Sequence, residues 1–500
     1  MSTHFAANDR TTVADPNTVA IRIRMYRQGL GDCFLITLPS RDGPFYMVID
    51  CGVVLGTDAA GIQKLRDAVD DISTVTGGKI DLLVLTHKHW DHVSGFTQAR
   101  DGIARWMVAQ VWTSWFENPK DSLAKRLHDE GKRTEDALRL AADWLHAAGA
   151  TNQGNLVTGL LDFLGAAAGS TDTALTFAKG LAGDNLRFRQ PGEPPIVLPE
   201  IPGFRFYVLG PPKDEVLLRK SDPSKGQAYG LDDGSAASNA MFLNAVHRAP
   251  GSMAADAFAD DTTLDNPFEI RFQIPLARAQ RLEFFDRHYF GNVQDASLTD
   301  LKTSKPVLDQ SWRRIDATWL DTSQTLALAL DAMTNNTSLV LAIENVATGE
   351  VLLLPGDAQA GNWLSWQALQ WTEKNADGSK TVTTGSDLLA RTIFYKAGHH
   401  GSHNATLKEK GLELMTHDGL FVMIPVDHAM AIKKRWGKMP LPDLVTRLNE
   451  RAEGRVLRVD DDVTTSAELK ASRPAAASVT DWKEFTSHIA VSALYFEVTI

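Results

Sequence analysis

Short apolar runs of strand length alternate with amphipathic stretches of helical period along much of the chain. Ile21–Arg24 and Cys33–Leu38 read as strands joined by the turn Gln28-Gly29-Leu30-Gly31-Asp32, and Phe45–Ile49 as a third strand ending in Asp50-Cys51-Gly52. Ile62, Leu65, Ala68, Val69 and Ile72 fall on one helical face, and Gly77-Gly78 breaks it. Leu82–Leu85 is a fully apolar strand, and Val108–Trp115 reads as another. The texture then changes. A helix is expected from Thr134, with Glu135 and Asp136 in its first turn and Ala137, Leu138, Ala141, Trp144 and Leu145 inward, closed by Gly149. Asn155–Gly183 reads as one or two more helices, so 116–202 is taken as a mostly helical insertion, with the five prolines of Pro191–Pro202 as a connector.

Phe204–Leu209 returns to strand periodicity. From 213 to 321 the pattern is mixed, with Ser/Asp/Gly-rich loops over Ser221–Ala237, an amphipathic piece at Ala240–Val246 and aromatics at Phe284, Phe285, Tyr289 and Phe290. This reads as a second insertion, either with its own small core or as a lid or partner surface. Thr322–Met333 is expected to be helical, Ser338–Ile343 and Val351–Leu354 to form a hairpin, and Leu388–Ala397 to run from helix into strand. Phe421–Val426 is a further strand, Leu444–Ala452 a helix with Asp443 as N-cap, and Ala493–Ile500 the closing strand. The alternation predicts an α/β fold: a flexible N-terminus over 1–18, one core domain split into 19–115, 203–212 and 322–500, and the two insertions between them.

Composition changes this picture little. The 43% hydrophobic and 23% charged content is that of a soluble globular protein. No apolar stretch approaches the ~20 residues needed to cross a bilayer, and the polar Met1–Asn17 marks no export, so a cytoplasmic protein is expected. The two cysteines, Cys33 and Cys51, lie in early strands and are expected as buried thiols. A net charge of −11 argues against broad adhesion to nucleic acid while leaving a locally basic cleft open.

The chemistry concentrates after Leu82–Leu85. There His87, His89, Asp91 and His92 place four metal-capable side chains in six positions. Alternate residues of an extended segment face one way, so His87 and His89 can share an ion, and Asp91 and His92 can reach a second from the turn beyond. Imidazole with carboxylate suits zinc and tolerates manganese or iron. A pair of ions needs an anionic bridge, and Asp357, in Pro355-Gly356-Asp357 after an apolar strand, is the natural one. His399 and His400 come after the next strand in Gly-His-His-Gly-Ser. Adjacent strand residues point oppositely, so one would bind and the other face substrate unless the backbone turns. His400 is taken as ligand and His399 as the outer, catalytic residue.

The spacing His-x-His-x-Asp-His resembles the signature of the metallo-β-lactamase superfamily. The resemblance implies a four-layer αββα sandwich with a one- or two-metal site at the sheet edges, interrupted here by the two insertions. The Gly398–Ser402 tail, the early Gly29–Ile36 stretch and Asn335–Val340 resemble the metallo-β-lactamase domain of ComEC-type competence proteins. The likeness covers Ile21–Trp115, Phe204–Pro212 and about Thr334–Ala452. It implies a supporting role for Asp50, which would hold the histidine loop by hydrogen bonds. A histidine common before the Gly-Asp strand is missing; Asn336 or a water would take its place, weakening one of the two sites.

The expected protein is therefore a metallo-hydrolase holding two divalent ions, zinc or manganese, with a metal-activated water as nucleophile and Asp91 as ligand and proton acceptor. The ComEC-type resemblance points to a phosphodiester, in DNA or a nucleotide, with Lys396, Lys434 and Arg435 as phosphate contacts among the lysines and arginines of that region. An amide, ester, lactone or peptide hydrolase is the alternative, and a non-catalytic interaction component of a multi-protein defence-type system a further one.

Overall fold

The computed structural model describes residues 20–147, 151–163, 170–224, 227, 274, 276–279, 281–285, 289, 330, 333–374, 379–434, 436 and 439–500. Residues 1–18 and most of 213–333 therefore lie outside it, with the expectations for the N-terminus, for Ala240–Val246, for Phe290 and for most of the helix Thr322–Met333. The chain divides into one unit formed by 1–128, 162–234 and 331–500, and a second formed by 129–161 and 235–330.

The first unit contains two sheets. One runs, edge to edge, Ile489–Val491, Tyr495–Thr499, Arg22–Tyr26, Cys33–Leu38, Phe45–Cys51, Leu82–Val84, Val111–Ser114 and Leu186–Arg189. The other runs Val456–Arg458, Phe421–Ile424, Thr392–Lys396, Val351–Leu354, Val340–Asn345 and Phe204–Gly210. Period-two alternation decides which side chains meet between them. Ile23, Phe34, Ile36, Met47, Ile49, Leu82, Val84 and Trp112 pack against Phe206, Val208, Leu341, Ile343, Leu352, Leu354, Phe394, Phe421 and Met423.

The alternate residues of each sheet face helices. Leu35, Val48 and Leu83 pack with Leu65, Ala68, Val69 and Ile72 of the helix Ala59–Thr76, and with Ala174, Leu175 and Ala178 of the helix Ser170–Gly180. On the far side Tyr207, Leu353, Tyr395 and Val422 pack with Trp363, Trp366, Leu388, Leu389, Leu444 and Leu448. The result is the four-layer αββα sandwich. Ala59–Thr76 starts at Asp58, whose carboxylate accepts from the Gly61 N–H, and stops at Gly77 in the left-handed region.

Several local expectations are corrected. Val108–Trp115 is two strands, Met107–Val108 and Val111–Ser114. The helix expected from Thr134 begins at Ser122, and the Thr134 hydroxyl donates to the Glu130 carbonyl inside it. The polar character of its first three turns hid the start. Within 116–202, Leu186–Arg189 is an edge strand parallel to Val111–Ser114, and the helix Ser170–Gly180 belongs to the core layer. Asp443 is not the N-cap of the later helix: Pro442–Arg451 is capped by Leu441, with proline in its first turn. Cys33 and Cys51 face each other across neighbouring strands as free, buried thiols.

In the second unit, Ala137, Leu138, Ala141 and Leu145 of the long helix Ser122–Ala147 are buried, as are Val157 and Leu161 of the helix Thr151–Phe163. Phe284, Phe285 and Tyr289 contact one another, their ring centroids 5.4 to 6.3 Å apart, although Phe284 stays exposed. Among the described residues no helix is long and apolar enough to cross a membrane.

Candidate metal centre

Polar side chains converge at the carboxyl ends of strands from both sheets. Phe45–Cys51 and Leu82–Val84 are parallel neighbours in one sheet, as are Val351–Leu354, Thr392–Lys396 and Phe421–Ile424 in the other. Parallel strands deliver the loops after them to one edge, which is where α/β sheets form ligand sites. Asp50 stands near the end of the first of these strands, and the loops carry Thr86 to His92, Asp357, His399 with His400, and Pro425.

The turn Gln28–Asp32 clamps the histidine loop. The Asp32 N–H donates to the Asp91 carbonyl (3.1 Å), and the Gly52 N–H donates to the Asp32 carbonyl (2.9 Å). The Gln28 amide donates to the Gly31 and Gly52 carbonyls, both at 3.0 Å. Gly52 lies so close to the loop that a Cβ there would stand 2.4 Å from the Asp91 carbonyl oxygen. Asp50, His399 and His400 all adopt positive φ, an uncommon conformation that collects at functional sites. At both histidines the backbone therefore turns and is not an extended strand.

Hydrogen bonds assign the ring nitrogens. The Asp50 carboxylate accepts from the Thr86 N–H (2.8 Å), from the Thr86 hydroxyl (2.5 Å) and from His92 Nδ1 (2.8 Å). His92 therefore carries its proton on Nδ1, and Nε2 stands 3.1 Å from Asp357 Oδ2. His400 Nδ1 donates to the Pro425 carbonyl (2.7 Å), so its Nε2 faces Asp91 Oδ2 at 2.8 Å and Asp357 Oδ2 at 3.6 Å. In each neutral ring a lone pair would point at a carboxylate. Only a proton or another cation between them makes that arrangement favourable.

Burial alone would lower both rings, but Asp357, assisted by Asp91, Asp32 and, for His92, Asp50, outweighs it. His92 titrates well above the ordinary histidine value and His400 is also raised. Burial would raise Asp91, yet His92 and the His400 hydrogen bond bring it down to about 2. For Asp357, Lys396, His92 and His400 overcome the same burial and hold the carboxyl well below the usual range.

The other pair behaves differently. The Thr86 hydroxyl donates to Asp50, so its oxygen accepts from His87 Nδ1 (3.1 Å), and His87 Nε2 lies 3.1 Å from His89 Nδ1. Burial holds His87 well below 6.5 and His89 at about 3, so both are neutral donors of a lone pair.

These residues suit a divalent ion. Asp91 Oδ1 is buried without a hydrogen-bond partner, and His92 and His400, when neutral, each aim an Nε2 lone pair at a carboxylate. Asp32, His92, Asp357 and His400 offer ligand atoms all within 4.8 Å of one another, all buried. Asp32, however, stands 3.8 Å from the Nδ1 atoms of His92 and His400, which are committed to Asp50 and Pro425. The free Nε2 atoms look the other way, toward Asp91 and Asp357.

Other residues named from the sequence fall elsewhere. The Asn336 side chain is fully engaged, donating to the Leu218 and Lys220 carbonyls and accepting from the Gln359 and Asn362 N–H groups. It ties the backbone around Asp357 and has no capacity left to replace a histidine. Lys396 is only 2% exposed and bonded to Asp32, Asp357 and the Gly356 carbonyl, so it cannot meet a phosphate. Lys434 reaches back to Gly56, and Arg435 lies outside the described residues. His399 is half-buried beside the buried His400; its N–H donates to Asp357 Oδ1 (3.0 Å) and its Nδ1 pairs with the Ser402 hydroxyl (2.9 Å). Of the outlying histidines, His403 pairs with Asp222 (3.2 Å) and His428 Nδ1 donates to the Met439 carbonyl (2.7 Å). Asp32 escapes sequence reasoning because an aspartate after Gly-x-Gly reads as a turn residue.

Residues 26–178 match the family model for the metallo-beta-lactamase superfamily. Among curated proteins none matches the chain. The matched span contains His87 to His92 and stops before Asp357 and His400, which the fold brings to the same edge. The match therefore covers only part of the αββα sandwich, whose remaining strands come from later in the chain.

Proposed function

We propose that the chain is a metal-dependent hydrolase whose substrate is a phosphodiester of DNA or a nucleotide. The observation that carries the hydrolase reading is the pair of imidazole lone pairs, on His92 and His400, driven against the Asp91 and Asp357 carboxylates. Divalent ions held by this set supply a Lewis acid and lower the pKa of a water at neutral pH. His92, His400, Asp91 and Asp357 would hold one ion, and His87 Nε2 with His89 Nδ1 a second, with Asp357 shared and zinc or manganese suited to the donors.

The chain's own groups complete the chemistry. Asp91 Oδ1, buried without a hydrogen-bond partner, is the proton acceptor in this reading. The Ser402 hydroxyl donates to Asn404 (2.9 Å), and His399 Nδ1 stands 2.9 Å from that hydroxyl and 3.4 Å from the Gln359 amide nitrogen. His399, whose N–H donates to Asp357 Oδ1, is placed to exchange a proton or a hydrogen bond with substrate. Asp50 and Thr86 fix the ring orientations of His92 and His87.

Support for the phosphodiester comes from the resemblance of the Gly-His-His-Gly-Ser tail and of the Gly29–Ile36 turn to ComEC-type domains. The burial of Lys396 removes one expected phosphate contact, and this favours, as a second reading, hydrolysis of an amide, ester or lactone. Metal analysis, then assays with bis(p-nitrophenyl) phosphate and with a p-nitrophenyl ester or a lactone, tests both. Phosphodiester turnover that is lost with a chelator, restored by zinc or manganese and absent in Asp91→Ala supports the first reading. Turnover of the carbonyl substrate alone supports the second, and turnover unaffected by chelation contradicts both.

A further inference from the structure

We infer that Lys396 and Asp32 are positioning residues for Asp357: a buried ion pair that joins the two sheets beneath the metal centre and leaves Asp357 one oxygen for the ion. The inference rests on the metal centre proposed above and adds to it the device that orients the shared carboxylate.

The Lys396 ammonium has three protons to give, and three acceptors take them: the Gly356 carbonyl (2.8 Å), Asp357 Oδ1 (2.9 Å) and Asp32 Oδ2 (2.5 Å). Asp357 Oδ1 also accepts from the His399 N–H (3.0 Å). That oxygen is fully used. Oδ2 is the one that stands 3.1 Å from His92 Nε2 and 3.6 Å from His400 Nε2. Rotation of the carboxylate is thereby blocked, and its two oxygens have separate tasks.

Asp32 does the corresponding work on the other sheet. It immediately precedes the strand Cys33–Leu38, the neighbour of Phe45–Cys51, and its backbone bonds both Gly52 and Asp91. Lys396 closes the strand Thr392–Lys396 of the opposite sheet. Their ion pair therefore sets the spacing between the loop that carries Asp91 and His92 and the loops that carry Asp357 and His400. The charges also matter. An ammonium beside a cation site would by itself repel the ion, and the Asp32 carboxylate cancels it.

Two explanations of Lys396 differ in sign. If it acted only through its charge, Lys396→Met would tighten metal binding. If it positions Asp357, the same change loosens it. The single variant leaves Asp32 buried and unpaired, so the decisive protein is Asp32→Asn/Lys396→Met, in which the local net charge is unchanged. Zinc affinity is measured against a chromophoric chelator on the full chain, with the melting curve of the chelator-treated protein as the control for folding. We expect the double variant to melt within a few degrees of the parent and to hold zinc at least about tenfold more weakly, the size of effect seen when a residue supporting a metal ligand is lost. Affinity equal to the parent's in the double variant, or tighter binding in Lys396→Met, overturns the inference. If the double variant does not fold, Asp32→Asn alone, which keeps an oxygen for Lys396, must still weaken zinc; unchanged affinity there overturns it equally. A parent chain that binds no zinc refutes the metal centre itself, a different result from a parent that binds and a variant that binds as well.

Discussion

His87 and His89 are buried among other imidazoles, whereas His92 and His400 each present Nε2 to a carboxylate. All four rings are inaccessible, and burial by itself favours their neutral form. Only the second pair is pushed the opposite way, by Asp357, Asp91 and Asp32. One side of the cluster thus requires a cation, while the other merely accepts one. The proposed centre therefore has two unequal halves, and charge distinguishes them where ligand spacing does not.

The largest expected effect comes from removing a group that serves the whole centre. Asp91→Ala should lower hydrolytic turnover by at least about 10²-fold, measured with the substrate that the parent protein turns over. Next, the two halves should separate. His400→Gln should weaken zinc binding at least about tenfold more than His87→Gln, read by competition with a chelator. Equal losses would erase the distinction between the half-sites. Gly52→Ala, which drives a methyl group into the Asp91 carbonyl, should cost about 1–3 kcal/mol in urea unfolding and displace the loop that carries Asp91 and His92.

A smaller effect lies in the pH dependence of the chelator-treated protein. Unfolded histidine titrates near about 6.5. His92 and His400 lie above that value when folded, so their protonation stabilises the fold below about pH 6.5, and this contribution is lost as pH rises through their folded values. His89 and His399, held by burial at about 3 and about 4, lose stability in the other direction, as pH falls from about 6.5 toward those values. The melting temperature of the metal-free protein should therefore peak between the two limbs. His400→Gln should flatten the alkaline limb and His89→Gln the acid one; the reverse pattern would show that the halves have been assigned the wrong way round.

The same contrast separates what is legible in the sequence from what is not. His87 to His92 is a local cluster after an apolar strand, so its chemistry is visible in six residues. Asp357 and His400 are legible because each comes after a buried strand with a glycine that permits a sharp turn. Asp32 is not, since its partner Lys396 is far along the chain and nothing local separates a turn aspartate from one that anchors an ammonium. Lys396 misleads for the same reason: a lysine at a strand end looks solvated until the opposite sheet closes over it. Leu186–Arg189 is hidden by its charged alternate residues, Arg187 and Arg189, which suit an edge strand but resemble a connector. Asn336 stands out in the sequence as part of the centre, yet its partners are backbone groups, which no residue pattern encodes.

Locating the ion is the decisive measurement. Anomalous diffraction at the zinc edge, from crystals of the parent chain grown with zinc, should give a peak among His92, His400, Asp91 and Asp357 that is stronger than any peak beside His87 and His89. Zinc-saturated crystals with no peak in that group, or with the stronger peak beside His87 and His89, would contradict the unequal half-sites.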